Sequence, residues 1–129
     1  MAKGLLLIYK PSGMTSFSAV SAVKRLAHEK RVGHTGTLDP LATGVLPIFL
    51  GRATALSGLM LDGDKRYTAG IKLGITTDTD DITGGILSQN LAEVSTEELR
   101  GALSHFMGKT TQVPPMYSAL KKDGVRLYQ

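Results

Sequence analysis

The sequence predicts a mixed fold of helices and strands, α+β or α/β, on three observations. A short apolar run, residues 4–10 (GLLLIYK), is stopped by Pro11-Ser12-Gly13 and reads as a buried strand and a turn. Phe17, Val20, Val23 and Leu26 recur at three-residue spacing, the period of an amphipathic helix. Tyr67, Ala69, Ile71 and Leu73 fall on every second position, as in a strand with one covered face. That alternation favours an antiparallel sheet.

The elements follow in chain order. Ser16 is placed as the N-cap of the first helix, which is expected to run to about Glu29. Residues 31–40 form a glycine-punctuated loop. Residues 45–50 are strand-like, with Pro47 limiting them to an edge or a bulge. Leu56, Leu59 and Met60 suggest a short helix, and Asp62-Gly63-Asp64 a turn. Gly74 ends the alternating strand, and residues 76–85 (TTDTDDITGG) are polar and loop-like. Ser95-x-x-Glu98 is a capping box, with Leu99, Leu103, Phe106 and Met107 on one face and Gly108 at the C′ position. Residues 112–117 (QVPPMY) are extended, because Pro114 and Pro115 exclude helix.

The chain has 129 residues, 42% hydrophobic and 20% charged, which suits one globular domain or a piece of one. No run approaches the roughly 18 apolar residues of a membrane span, so a membrane partner is not expected. There is no Cys, which excludes a disulfide framework, a thiolate metal site and a cysteine nucleophile, and suits a reducing cytoplasm. The net charge of +4 is unevenly spread. Residues 1–66 carry nine Lys/Arg against four Asp/Glu, residues 67–108 two against six, and residues 109–129 four against one. A basic face attracts a polyanion, although +4 without a dense cationic run is also ordinary solubilising charge.

The densest candidate for chemistry is residues 33–45 (GHTGTLDPLATGV). Its glycines allow unusual dihedrals and close approach to a ligand. Asp39 is the only acid there, and Pro40 biases it towards an extended conformation. A lone carboxylate on a stiff turn can be a nucleophile or a base, or it can simply cap a backbone N–H. His34 can act as base, ligand or stacking ring. His28 and His105 fall on expected helices, and no HxxxH spacing occurs, so zinc is not signalled. Asp78, Asp80 and Asp81 lack the Gly and Glu that complete a calcium loop. Tyr67 follows Lys65-Arg66 and is either half-buried core or a stacking platform with two cations on phosphates. The turn at Lys10 can brace a loop or hold a phosphate.

Several blocks together carry a resemblance. Lys10-Pro11-Ser12-Gly13-Met14-Thr15-Ser16 and residues 33–47 closely resemble the TruB family of tRNA pseudouridine synthases. Asp64-Lys65-Arg66-Tyr67, Leu73-Gly74 with Thr77-Asp78-Thr79-Asp80-Asp81, Gln112-x-Pro114-Pro115-Met116-Tyr117-Ser118-Ala119-Leu120-Lys121 and Gly124-x-Arg126-Leu127-Tyr128 follow in the same order. The resemblance spans essentially the whole chain. Tyr9 and Arg52 depart from the pattern, standing where many members carry Asp and Glu.

The resemblance implies an α+β synthase fold with a mainly antiparallel sheet. It implies a cytoplasmic enzyme that turns the T-loop uridine of tRNA into pseudouridine without metal or redox cofactor. Asp39 then takes the place of the catalytic carboxylate, and Tyr67 is the second catalytic residue, stacking on the flipped base and serving in proton transfer at C5. His34 fills the space that the base vacates. Lys10, with Pro11, supports the catalytic loop, and Lys10, Lys65 and Arg66 join His34 as RNA-binding residues. Lys121 and Lys122 are further candidates for phosphate contact. The family continues past Leu127-Tyr128 into strands bearing an Arg that pairs with the catalytic Asp. Residues 1–129 are therefore expected to be the N-terminal portion of a catalytic domain, inactive alone, with the missing C-terminal half as a partner. The alternative is a non-catalytic RNA-binding or RNA-folding module on the same scaffold.

Overall fold

The computed structural model describes residues 3–60, 63–111, 121–122 and 125–126. The chain divides into two compact units, Met1–Tyr67 and Thr68–Gln129. Every described strand pair is antiparallel, in small sheets accompanied by helices.

The first unit is a three-stranded sheet with strand order β1-β3-β2. Strand β1 is Gly4–Lys10, β2 is Val32–His34 and β3 is Gly44–Leu50. Helix α1, Ser16–Leu26, packs its buried side on this sheet. Ala19, Val20 and Val23 of α1 meet Leu46 and Ile48 of β3, with Leu38, Ile8 and Val32 around them. Burial of these side chains is the main force holding the unit together. A ten-residue 3-10 helix, Gly51–Met60, follows β3 and packs against all three strands. It begins earlier than the leucine spacing suggests.

Three expectations for this unit change. Thr15, not Ser16, caps α1, and its hydroxyl accepts from the Ser18 N–H at 3.0 Å. The buried stripe is Ser16, Ala19, Val20 and Val23, the i, i+3, i+4, i+7 pattern, and it leaves Phe17 and Leu26 exposed. The helix stops at Leu26, and His28 lies beyond it with φ at +49°.

Strand β3 is the central strand despite Pro47. On one side Pro47 pairs with Leu7 of β1. On the other, Thr35 N–H donates to the Pro47 carbonyl at 3.3 Å. The reciprocal bond is impossible because proline has no N–H. The missing donor therefore falls where β2 has already ended, at His34.

The second unit contains a hairpin of β4, Ile75–Thr77, and β5, Ile86–Gln89. Part of the segment read as loop is thus strand. The expected strand at Tyr67–Leu73 is not formed; Tyr67, Ile71 and Leu73 are exposed and pair with no described strand. Alternation marks a surface that suits a sheet, but a strand exists only where a neighbour takes its hydrogen bonds. Gly74 does mark a turn, with φ at +81°. A Cβ there would run into the Asn90 carbonyl oxygen.

Helix α2, Thr96–Ser104, opens with the expected capping box. Ser95 and Glu98 exchange bonds, and the Ser95 N–H donates to Glu98 Oε2 at 2.9 Å. The helix ends at His105, so Phe106, Met107 and Gly108 lie past it rather than on its face and at C′. Strands β6, Lys121–Lys122, and β7, Val125–Arg126, pair with Lys121 opposite Arg126. Asp62 and residues 112–117 lie outside the described residues.

Candidate active site

The turn carrying Asp39 is fixed from both sides by the β1–α1 connection. On one flank, Ser16 Oγ donates to the Leu38 carbonyl and accepts from the Leu38 N–H, each at 3.0 Å. On the other, the Pro40 carbonyl accepts from Gly13 N–H at 2.8 Å and from Lys10 Nζ at 3.2 Å. The Asp39 carbonyl accepts from Ala42 N–H at 3.1 Å, closing the turn. The Asp39 side chain itself is exposed.

Lys10 is 0% exposed, and its ammonium also donates to the carbonyls of Pro11 at 2.9 Å and Met14 at 2.7 Å. A buried cation is tolerated only when its donors are satisfied, and here three carbonyls take them. Lys10 therefore ties together the start of the turn, its end and the Asp39 loop. A side chain without exposed surface offers nothing for a phosphate to touch, so Lys10 acts as a brace.

Beside this turn lies a cleft of about 480 Å³. The glycine-rich block lines it with residues that include Thr35, Gly36, Leu38, Gly44 and Pro47. Leu59, Met60 and residues 63–67 line it as well, including Asp64, Lys65, Arg66 and Tyr67. The structure thus brings Tyr67 and the two cations against the block that holds Asp39. Leu38 lines the cleft directly, whereas Asp39 is not among its lining residues. Tyr67 is 63% exposed, so its ring is open to solvent and available for stacking. Lys65 Nζ donates to the Gly63 carbonyl at 3.2 Å.

His34 is half-buried at the end of β2, and its Nε2 is 3.2 Å from Thr37 Oγ1. That bond ties the imidazole to the same loop. Thr35 is 5% exposed, and its hydroxyl has no hydrogen-bond partner among the described residues.

Sequence reasoning missed Ser16 as a staple for the loop, and Thr35 and Asp64 as cleft residues. The signal for Thr35 and Asp64 was membership in the motif blocks. Nothing local signals the job of Ser16, because its partner lies 22 residues away.

In the second unit, two of the three aspartates of the β4–β5 loop, Asp78 and Asp81, are occupied by the loop itself. Asp78 Oδ1 accepts from Gly85 N–H at 2.8 Å. Asp81 Oδ1 accepts from Thr83 N–H at 2.7 Å and Thr83 Oγ1 at 2.6 Å. The Thr83 bonds hold the Asp81 carboxyl below the usual aspartate range. Ser95 does the same for Glu98.

These features meet in one class of protein. Residues 24–129 match the family described as TruB family pseudouridylate synthase (N terminal domain), and the chain belongs to that family. It is 52% identical over 126 residues to the tRNA pseudouridine synthase B of Azoarcus sp. (strain BH72), covering 98% of this chain and 42% of that protein. The same figures describe its likeness to the tRNA pseudouridine synthase B of Alkaliphilus oremlandii (strain OhILAs). The chain thus spans about two fifths of the length of these curated relatives. Among solved structures it resembles a chain of the crystal structure of a Cbf5-Nop10-Gar1 complex, with a TM-score of 0.62 and 25% identity. That match covers 92% of this chain and 31% of the other.

Proposed function

We propose that the protein isomerises the T-loop uridine of tRNA to pseudouridine, with Asp39 as the catalytic carboxylate. The observation that carries this reading is the Asp39 turn, pinned on both flanks beside a cleft that Tyr67, Lys65 and Arg66 also line. The family membership and the names of the relatives support it.

The reaction breaks the N1–C1′ bond of the uridine, turns the uracil, and joins C5 to C1′. The C5 proton is lost and a proton is gained at N1, so nothing is consumed. One ionised carboxylate beside the sugar serves, whether it attacks C1′, attacks the base or removes the C2′ proton. The uridine must first leave the stacked loop. Tyr67 stacks on the extruded base, and His34 braces the space it leaves. Lys65 and Arg66 hold backbone phosphates, which position the RNA without reading its sequence. No cofactor enters this scheme. On this reading residues 1–129 form the N-terminal portion of the catalytic domain, working in the cytoplasm on the T arm. Among the described residues no helix is long and apolar enough to cross a membrane.

The test uses the full-length protein carrying this sequence and tRNA tritiated at uridine C5. Release of tritium into water is the expected result. Tight tRNA binding with the tritium retained would overturn the reading in favour of an RNA-binding module.

A further inference from the structure

Ser16 is a polar residue in a place that calls for none. It occupies the first position of α1, but Thr15 already caps the helix. Its side chain is 2% exposed and belongs to the stripe of Ala19, Val20 and Val23 that faces the core. An alanine would pack there without a buried hydroxyl to satisfy. The hydroxyl is nevertheless satisfied twice, and both bonds go to the backbone of Leu38. Leu38 is the residue before Asp39.

We propose that Ser16 is a positioning residue for Asp39, holding the 38–40 turn through its two hydrogen bonds to Leu38. The proposal rests on the pseudouridine reading above for its catalytic consequence. Lys10 and Gly13 secure only the Pro40 side of the turn. Without Ser16 Oγ, the Leu38 N–H and carbonyl lose their partner, and the backbone on that side of the turn is held only through the packing of the Leu38 side chain in the core. The exposed carboxylate then samples a wider range of positions. Reaction rate depends steeply on such placement, while phosphate contacts do not pass through this turn. Rate and RNA affinity should therefore separate.

The experiment compares Ser16→Ala with Thr15→Ala in the full-length protein. Ser16→Ala is expected to slow single-turnover pseudouridine formation about tenfold or more, with the tRNA Kd unchanged. The Leu38 amide should also exchange its hydrogen about tenfold faster. Thr15→Ala removes the helix cap and lowers the melting temperature, but leaves the rate unchanged below the melt. A Ser16→Ala rate within about twofold of the parent overturns the proposal. So does a parallel loss of rate and affinity in Ser16→Ala, since that marks a general structural defect. If the parent makes no pseudouridine, the functional reading fails instead. Leu38 exchange then decides the staple by itself: faster exchange supports it and unchanged exchange overturns it.

Discussion

In the first unit, Lys10 reaches across 30 residues to Pro40, and Ser16 across 22 to Leu38. In the second unit, the described bonds stay within one hairpin or one helical turn: Gly74 with Asn90, Asp78 with Gly85, Ser95 with Glu98. The first unit buries the two side chains that make these long-range bonds, Lys10 and Ser16, while the second has no buried residue among those described in 68–111. The contrast shows two ways of making a loop rigid. A local loop satisfies its own polar groups at the surface and needs no core. A loop held by distant residues takes its position from the core, and only that kind fixes one exposed acid relative to a cleft.

Four measurements can break or sharpen this contrast. The largest effect is expected at Asp39. Asp39→Ala should cut tritium release by on the order of 10⁴-fold while tRNA binding persists, as loss of a catalytic nucleophile or base does. Retained activity would remove the pinned turn from the chemistry.

Next is Lys10→Met. It keeps the aliphatic stem and strands three carbonyls, so urea titration should show a loss of about 3 kcal/mol. A loss below about 1 kcal/mol would mean that the turn does not depend on its distant anchor.

In the second unit, Gly74→Ala should cost about 2 kcal/mol, from a positive φ and a Cβ pressed against the Asn90 carbonyl. The damage should be confined to the β4–β5 amides in NMR spectra. Changes across residues 3–60 would contradict the local character claimed for the hairpin.

The smallest effect is acid loosening of the α2 cap. The Ser95 bonds lower the folded Glu98 pKa, so the unfolded chain binds that proton more readily. The cap's contribution is full above the ordinary glutamate pKa. It is lost as pH falls through the lowered folded value. The Ser95 and Glu98 amide shifts should follow that titration, and shifts that stay constant to the end of the acid limb would remove Glu98 from the cap.

The same contrast explains what was legible in the sequence. Helix α2 and its capping box were readable because both partners lie within four residues. Strand β1 was readable as a strand from its apolar run and the Pro-Ser-Gly stop, but the expected burial fails, since Leu5, Leu6, Leu7 and Tyr9 are exposed. The site block was readable because its glycines, Asp39 and His34 are contiguous. Residues whose role is set at a distance were not. Ser16 looks like a cap until Leu38 is brought to it, and Pro47 looks like an edge residue until β2 is seen to stop beside it. The alternation at Tyr67–Leu73 misled for the complementary reason, since periodicity describes a side-chain pattern and not the presence of a pairing partner.

The burial of Lys10 also provides a clock. Its amine is sealed, whereas Lys24 and Lys65 are exposed, so an amine-acylating reagent in excess labels those surface lysines at once. Lys10 can be labelled only in the moments when its carbonyls let go. The rate at which that one amine takes up the label then reports how often the Asp39 turn opens in the folded protein.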